Sequence, residues 1–230
     1  MNQSLLKQCV AEFIGTFALI FIGVGVIFNN TPGAGVGLLG VALAHGLTIA
    51  VMVSATMAIS GGQLNPAVTF GLLVGGQMDL KRSAAYWIAQ LAGGAAAACL
   101  ILGLAGESGF DAVTAGTPDI VLENGIPKVS LVQAIVIEMV LTFFLVFVVY
   151  GSAVDARAPK IGGLAIGLTV ALDIMFGGPF TGASMNPART FGPAIACGHW
   201  NHQIVYWVGP LLGGALAGLI YGRFLIKESK

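Results

Sequence analysis

Two short stretches of this chain are nearly identical: residues 65–71 read NPAVTFG and residues 186–192 read NPARTFG. Each opens an apolar run of about ten residues, at about 66–75 and about 187–196. A helix of that length covers about 15 Å, at ~1.5 Å per residue, which is half of a ~30 Å hydrocarbon core. Proline is favoured in the first helical turn because its missing N–H is not needed there. The two stretches therefore predict half-helices that begin near the middle of a membrane.

The composition is that of a membrane protein, since 57% of the 230 residues are hydrophobic and only 9% are charged. A soluble domain carries about a quarter charged residues, so the outer surface of this chain must face lipid. The net charge is zero, which argues against a nucleic acid partner because no excess of basic residues is available to neutralise phosphates. Cys9, Cys99 and Cys197 show no metal-ligand spacing. We expect no metal, no cofactor and no enzymatic activity.

Six apolar segments are long enough to cross a membrane as helices, which takes about 20 residues each. The run that follows Lys7 is longer than the core of a cleavable signal peptide and contains Glu12, so we interpret it as the first span. The six spans are expected at residues 8–28, 37–59, 83–105, 129–152, 161–178 and 203–225.

The two halves of the sequence align with each other over their whole length. Glu12 corresponds to Glu138, which is 126 residues further on, and Tyr86 corresponds to Tyr206, which is 120 residues further on. Each unit contains three spans and one half-span, and because three is odd the second unit enters from the opposite side of the membrane. The sequence therefore predicts an all-α membrane protein with six transmembrane helices and two membrane half-helices in a 3+3 inverted repeat. It forms a single domain, 1–230, with repeat 1 at about 8–105 and repeat 2 at about 129–225.

The distribution of basic residues sets the orientation of the spans. An intracellular N-terminus places eight basic residues on the cytoplasmic side and only Lys128 in the outer loop, a strong positive-inside pattern. Both termini are therefore predicted to be cytoplasmic, and Arg189 is left over inside the second half-span. The eight residues are Lys7, Lys81, Arg82, Arg157, Lys160, Arg223, Lys227 and Lys230.

Over essentially its whole length the chain resembles the aquaporin family. Two NPA boxes stand at equivalent positions of an inverted six-span repeat, and Arg189 follows the second box at once. A half-helix N-terminus carries about half a positive elementary charge, and Asn65 and Asn186 can both donate to one water oxygen and so interrupt a chain of protons. Capping of the half-helices is the alternative role of these two residues, and both roles are compatible. The boxes that the resemblance places in the pore are Asn65-Pro66-Ala67 and Asn186-Pro187-Ala188.

The resemblance also implies a selectivity filter at the outer end of the pore. Counting from the two Asn residues of the boxes places its four positions in this chain, and we expect the first of them, His45, to hydrogen-bond Arg189 or the permeant molecule. The alternatives are a core residue for His45 and a structural ion pair for Arg189. This set is similar to that of the plant tonoplast intrinsic proteins, a group that often passes ammonia, hydrogen peroxide or urea beside water. The four positions are His45, Ile174, Ala183 and Arg189.

By the same resemblance, Glu12 and Glu138 support the loops that precede the half-helices. Inverted symmetry places them on opposite sides of the membrane, too far apart to act together as an acid–base pair. We expect Asp173 to point away from the pore, because its neighbour Ile174 faces it. Asp173, His199 and His202 receive no role from the sequence pattern.

The function predicted from the sequence is a passive, proton-excluding water channel. A glycerol or polyol facilitator is the alternative, disfavoured because Thr190 follows Arg189 where such relatives carry Asp. A secondary transporter is a further alternative, which would need a carboxylate near the midplane. The expected partners are water, small neutral solutes and membrane lipids, and the resemblance implies a homotetramer with one pore per subunit. The short tails favour a prokaryotic cell (inner) membrane.

Overall fold

The computed structural model describes residues 4–30, 35–105, 114–159 and 161–226. It confirms the predicted class, because the described residues form six helices long and apolar enough to span a membrane, together with two short ones. The last turns of the fourth and sixth spans are π-helical, over Tyr150–Val154 and Gly218–Leu225. The spans are α1 (Leu5–Phe28), α2 (Gly37–Ser60), α4 (Leu80–Ala105), α5 (Leu131–Val149), α6 (Gly162–Thr181) and α8 (Gln203–Ala217), and the half-helices are α3 (Pro66–Val74) and α7 (Pro187–Cys197).

Local signals set the ends of these helices. The Ser130 hydroxyl accepts the Gln133 backbone N–H while the Gln133 side chain bonds back to Ser130, which starts α5 with a capping box. Helices α2 and α6 end at Gly61 and Gly182, whose φ angles of 95° and 76° lie in the left-handed region that glycine adopts without strain. Each of these glycines turns the chain back into the membrane toward a half-helix.

The helices pack closely where the two repeats meet. Helix α2 of the first repeat crosses α6 of the second, and a Cβ added at Gly167 would lie 2.2 Å from the carbonyl oxygen of Gly46. Helix α8 likewise continues against α3, where a Cβ at Gly218 would lie 2.2 Å from the Gly71 carbonyl oxygen. Small residues let backbones approach in lipid, where no hydrophobic effect drives helices together. These crossings lie within one chain.

The outward faces of the long helices carry aliphatic side chains. Val51 on α2 is 64% exposed and Leu172 on α6 is 65% exposed. Such surfaces would be unfavourable in water but match hydrocarbon. The protein is therefore an integral, multi-pass membrane protein.

The loop between α4 and α5 holds a small departure from the predicted all-α class. Strands β1 (Leu122–Glu123) and β2 (Ile126–Pro127) pair antiparallel. The two residues between them, Asn124 and Gly125, have φ angles of 53° and 80°, as a two-residue hairpin turn requires. Of the basic residues that set the orientation, Lys160, Lys227 and Lys230 lie outside the described residues.

Candidate functional site

A narrow lumen runs between the two repeats. Its volume is about 30 Å³, enough for roughly two or three waters at roughly 10–15 Å³ each. Aliphatic side chains form most of its wall, and the polar side chains, apart from His45 on α2, lie on the half-helices and the loops that lead into them. Its lining is Leu19, His45, Ile49, Val53, Gly62, Gln63, Asn65, Val68, Leu145, Val149, Ile166, Val170, Ile174, Ala183, Ser184, Met185, Asn186 and Arg189.

The side-chain oxygens of the two Asn residues cap the half-helices. Asn65 Oδ1 accepts the backbone N–H of Ala67 at 2.8 Å. Asn186 Oδ1 accepts the N–H of Ala188 at 3.0 Å and that of Arg189 at 3.3 Å. Because each oxygen is held by backbone donors, each NH₂ group must point away from its own helix.

These NH₂ groups join the two repeats at the centre of the lumen. Asn65 Nδ2 donates to the Met185 carbonyl at 2.9 Å, and Asn186 Nδ2 donates to the Leu64 carbonyl at 3.0 Å. An amide NH₂ has two hydrogens, so each Asn keeps one hydrogen beyond this cross-repeat bond. The arrangement therefore combines capping with a donor pair in the lumen wall.

Glu12 holds the loop that precedes α3. Its Oε1 accepts the backbone N–H of Gln63 at 2.9 Å and the hydroxyl of Ser60 at 2.6 Å. Its Oε2 accepts the backbone N–H of Leu64 at 2.6 Å and the side-chain amide of Gln90 at 2.8 Å. A buried N–H without an acceptor costs about 1–3 kcal/mol, so this fully buried carboxylate stabilises the irregular backbone.

Glu138 makes the equivalent contacts before α7. Its Oε1 accepts the N–H of Ser184 at 3.0 Å and the hydroxyl of Thr181 at 2.7 Å, and its Oε2 accepts the N–H of Met185 at 2.7 Å. Met185 and Ala183 have φ angles of 52° and 47°, a strained region for residues with a Cβ. Such strain persists only where surrounding contacts hold it.

Arg189 and His45 both line the lumen, but they are held separately. Arg189 Nη1 donates to the Gly116 carbonyl at 2.7 Å, and His45 Nδ1 bonds the Val41 carbonyl of its own helix at 2.9 Å. Within the described ranges no hydrogen bond joins His45 to Arg189, so of the two expected partners of His45 the permeant molecule stays a prediction. The ion-pair alternative for Arg189 finds no partner in the described part of the chain either. Ile174 and Ala183 also line the lumen.

The contact between Arg189 and the loop that contains Gly116 was not predicted from the sequence. The loop borders a cavity of about 420 Å³ that also contacts Arg189, and Asp119 in this loop bonds His199 at 2.7 Å and His202 at 2.6 Å. Burial raises the pKa of Asp119, but the hydrogen bonds with His202 and His199 outweigh it, and the net pKa lies below the usual value. The two histidines thus fasten this loop to the segment after α7.

Asp173 points away from the lumen, as its neighbour Ile174 implied. It is 7% exposed and does not line the cavity. Among the described residues its Oδ2 has no hydrogen-bond partner.

A water-wide lumen on the axis of an inverted repeat, flanked by two half-helix N-termini, defines the molecule as a membrane channel. The chain belongs to the major intrinsic protein family, whose model matches residues 1–221. Members of this family are passive channels and not enzymes.

Known relatives match nearly the whole chain. It is 44% identical to Aquaporin TIP2-1 of Zea mays, over 99% of this chain and 91% of that protein. It is 46% identical to Aquaporin TIP4-4 of the same plant, over 99% and 90%. The X-ray structure of the aquaglyceroporin from Plasmodium falciparum superposes with a TM-score of 0.81 at 28% identity, covering 96% of this chain and 97% of that one.

Proposed function

We propose that this protein is a passive water channel that excludes protons. The observation that carries the proposal is the pair of Asn amide groups at the lumen centre. In each of them the oxygen accepts a backbone N–H of its own half-helix, and one hydrogen is donated to a carbonyl of the other repeat. Asn65 and Asn186 are thereby oriented as donors and cannot rotate to present an acceptor. Relatives named as aquaporins support the same function.

Proton exclusion follows from the direction of these donors. A water oxygen that accepts from both Asn65 and Asn186 has its two lone pairs occupied and cannot accept a hydrogen bond from a neighbouring water, which interrupts the chain along which a proton would hop. The N-termini of α3 and α7 add a positive potential at the same place, which repels protons and cations. No carboxylate is found among the described lining residues, so an ion-coupled transporter is disfavoured.

The outer filter favours water together with some small neutral solutes. Ile174 and Ala183 present aliphatic surface to the lumen, while His45 and Arg189 are polar. The wall formed by Ile174 and Ala183 therefore offers fewer hydrogen bonds to water than it would with a polar side chain at either position. We propose ammonia, hydrogen peroxide and urea as additional solutes. The likeness to an aquaglyceroporin supports the glycerol alternative only in part. Thr190, which stands directly after Arg189, argues against glycerol as a substrate.

We further propose that residues 1–230 form one channel domain, that four copies assemble with one pore each, and that both termini are cytoplasmic. The positive-inside pattern supports the orientation. Both relatives named above come from a plant and lend no support to a prokaryotic inner membrane, which stays a prediction from the short tails.

The test is osmotic shrinkage of proteoliposomes, followed by light scattering after rapid mixing with an impermeant osmolyte. We expect faster shrinkage than in empty vesicles of the same lipid, and no acceleration in several lipids would refute the channel. Parallel measurements with urea, glycerol and an ammonia gradient define the solute range. His45→Phe should narrow that range without slowing water to the level of empty vesicles.

A further inference from the structure

Met185 stands directly before Asn186, and among the described residues that line the lumen it is the only one with a sulfur atom. Both of its backbone groups are used. The N–H donates to Glu138 Oε2 at 2.7 Å, and the carbonyl accepts from Asn65 Nδ2 at 2.9 Å. The thioether side chain is therefore the part of Met185 that the proposed function leaves without a role.

The counterpart of Met185 in the first repeat shows where this side chain points. Leu64 lies 121 residues earlier and has a φ angle of 54°, against 52° for Met185. Its carbonyl accepts from Asn186 just as the Met185 carbonyl accepts from Asn65. The two backbones match, yet the described lining of the lumen includes Met185 and not Leu64. The side chain of Met185 is therefore what reaches the lumen.

The residue behind each side chain explains this difference between the repeats. Leu64 packs over Gly15 of α1, where an added Cβ would lie 2.2 Å from a methyl carbon of Leu64. The equivalent of Gly15, 126 residues further on, is Leu141, which is buried and has a side chain of its own. Because the space that receives Leu64 is filled in the second repeat, the unbranched, flexible side chain of Met185 turns to the lumen instead.

We propose that Met185 is a modification site, at which hydrogen peroxide in the lumen oxidises the thioether to the sulfoxide and thereby slows water. The sulfur attacks one peroxide oxygen, and the S–O bond forms as the O–O bond breaks. The hydroxide that leaves takes the proton of the transferred oxygen and becomes water. Sulfur is oxidised and the peroxide is reduced, so no other reactant is needed. The inference rests on the proposed channel and on its passage of hydrogen peroxide.

The lumen is the route by which an oxidant reaches this sulfur. Met185 is 1% exposed, and the lumen has a volume of about 30 Å³, enough for roughly two or three waters at roughly 10–15 Å³ each. Hydrogen peroxide is only two oxygen atoms long and fits where waters pass in file. An organic peroxide with a branched carbon group does not fit. The site therefore selects its oxidant by size.

A sulfoxide at this position acts on the central donors. Asn65 gives one amide hydrogen to the Met185 carbonyl and keeps the second for the lumen. A thioether sulfur is a weak acceptor, whereas the sulfoxide is polar, so its oxygen competes with water for that hydrogen and also narrows the path. We expect at least about a fivefold fall in osmotic water permeability. This corresponds to about 1 kcal/mol at 1.4 kcal/mol per factor of ten, the size of one net hydrogen bond.

The experiment treats the full-length protein in proteoliposomes with hydrogen peroxide, removes the peroxide with catalase, and compares osmotic shrinkage before and after. Mass spectrometry of the digested protein identifies each methionine that has gained an oxygen atom. A parallel sample receives tert-butyl hydroperoxide. We expect hydrogen peroxide to oxidise Met185 and slow water, and the bulky peroxide to leave Met185 and the permeability unchanged. Both should oxidise Met175, which is partly exposed on α6.

Three variants separate Met185 from the other methionines. Met185→Leu removes the sulfur, and Leu64 shows that leucine adopts this backbone conformation; its permeability after peroxide should equal its own value before treatment. Met175→Leu is the matched control, since Met175 is not among the described lining residues, and it should slow as the wild type does. Met185→Gln carries an amide oxygen at similar length, so it should be slow before treatment and unchanged by it. This variant keeps the test valid if Met185→Leu does not fold.

Each outcome decides the inference. Met185 left unmodified while Met175 is oxidised overturns the modification site, and oxidation of Met185 by tert-butyl hydroperoxide overturns the lumen route. Oxidised Met185 with unchanged permeability, or an equal loss in Met185→Leu, overturns the effect on water. A peroxide-sensitive dye trapped in the vesicles tests the proposed function separately. Dye oxidation no faster than in empty vesicles refutes the passage of hydrogen peroxide, and untreated shrinkage no faster than in empty vesicles refutes the water channel.

Discussion

Replacing Glu138 by Gln tests whether one carboxylate holds the loop before the second half-helix. Each of its oxygens accepts one backbone N–H, from Ser184 at Oε1 and from Met185 at Oε2. An amide has one oxygen, so either orientation of Gln places an NH₂ group against one of these N–H groups. One buried donor must therefore lose its acceptor.

The magnitude follows from that single lost bond. Hydrogen bonds to charged groups contribute about 1.5–3 kcal/mol, so we expect Glu138→Gln to lower the free energy of unfolding by about 2 kcal/mol. For a chain of this size that corresponds to a melting temperature about 4–8 °C lower. Glu138→Leu leaves both N–H groups without an acceptor and should lower the free energy by about 2–6 kcal/mol.

The same variant should also affect transport. The Met185 carbonyl, which accepts from Asn65, sits in the strained loop that Glu138 holds, so relaxation of the loop would release one central amide. We expect slower osmotic shrinkage per folded protein, with the proton leak raised above that of the wild type.

The assay is thermal unfolding in detergent, followed by the fluorescence of the three tryptophans, together with vesicle shrinkage. Glu12→Gln is the repeat-matched variant, because its two oxygens also accept one backbone N–H each, from Gln63 and Leu64, and it should melt lower by a similar amount. Thr169→Val serves as the control, because the Thr169 hydroxyl donates to the Ala165 carbonyl of its own helix. A Glu138→Gln protein that melts within about 1 °C of wild type would refute the assignment of both N–H groups to one carboxylate.

Three further perturbations test other parts of the structure. Asp119→Asn should lower the melting temperature at about pH 7, and this difference should shrink as the pH falls through the lowered pKa of Asp119, because a carboxyl whose pKa is lowered on folding stabilises only while ionised; a difference that stays constant on acidification would contradict this. Gly167→Ala should destabilise strongly because its Cβ would meet the Gly46 carbonyl, whereas Gly103→Ala, with nothing within 4 Å, should be nearly neutral in the same melts. Arg189→Val should raise the proton leak, measured with a trapped pH dye, above that of the wild type, because the cation that repels protons is removed.

Much of the fold could be predicted because its signals are local or periodic. Spans are set by runs of apolar residues that must match the bilayer, and the structure starts α2 and α8 at the predicted residues and the other spans within three residues of them. The half-helices begin at Pro66 and Pro187, as the NPA boxes predicted. Repeat symmetry paired Glu12 with Glu138, and both accept backbone N–H groups of the half-helix loops.

The partners of individual polar groups could not be predicted in the same way. Arg189 bonds a carbonyl at Gly116, 73 residues away in a loop without a motif, and His45 bonds its own helix instead of Arg189. Both contacts depend on which backbone groups are left unpaired after the helices pack, and that is a property of the assembled molecule.

The sequence by itself determined the membrane class, the inverted repeat and the residues that face the centre of the lumen. Hydropathy and the internal duplication can be read directly from the residue types, and each is visible over a few turns of helix. Only the tertiary structure decided the direction of each donor. The amides of Asn65 and Asn186 are oriented by carbonyl acceptors from distant segments, and an amide has no preferred direction until such partners surround it.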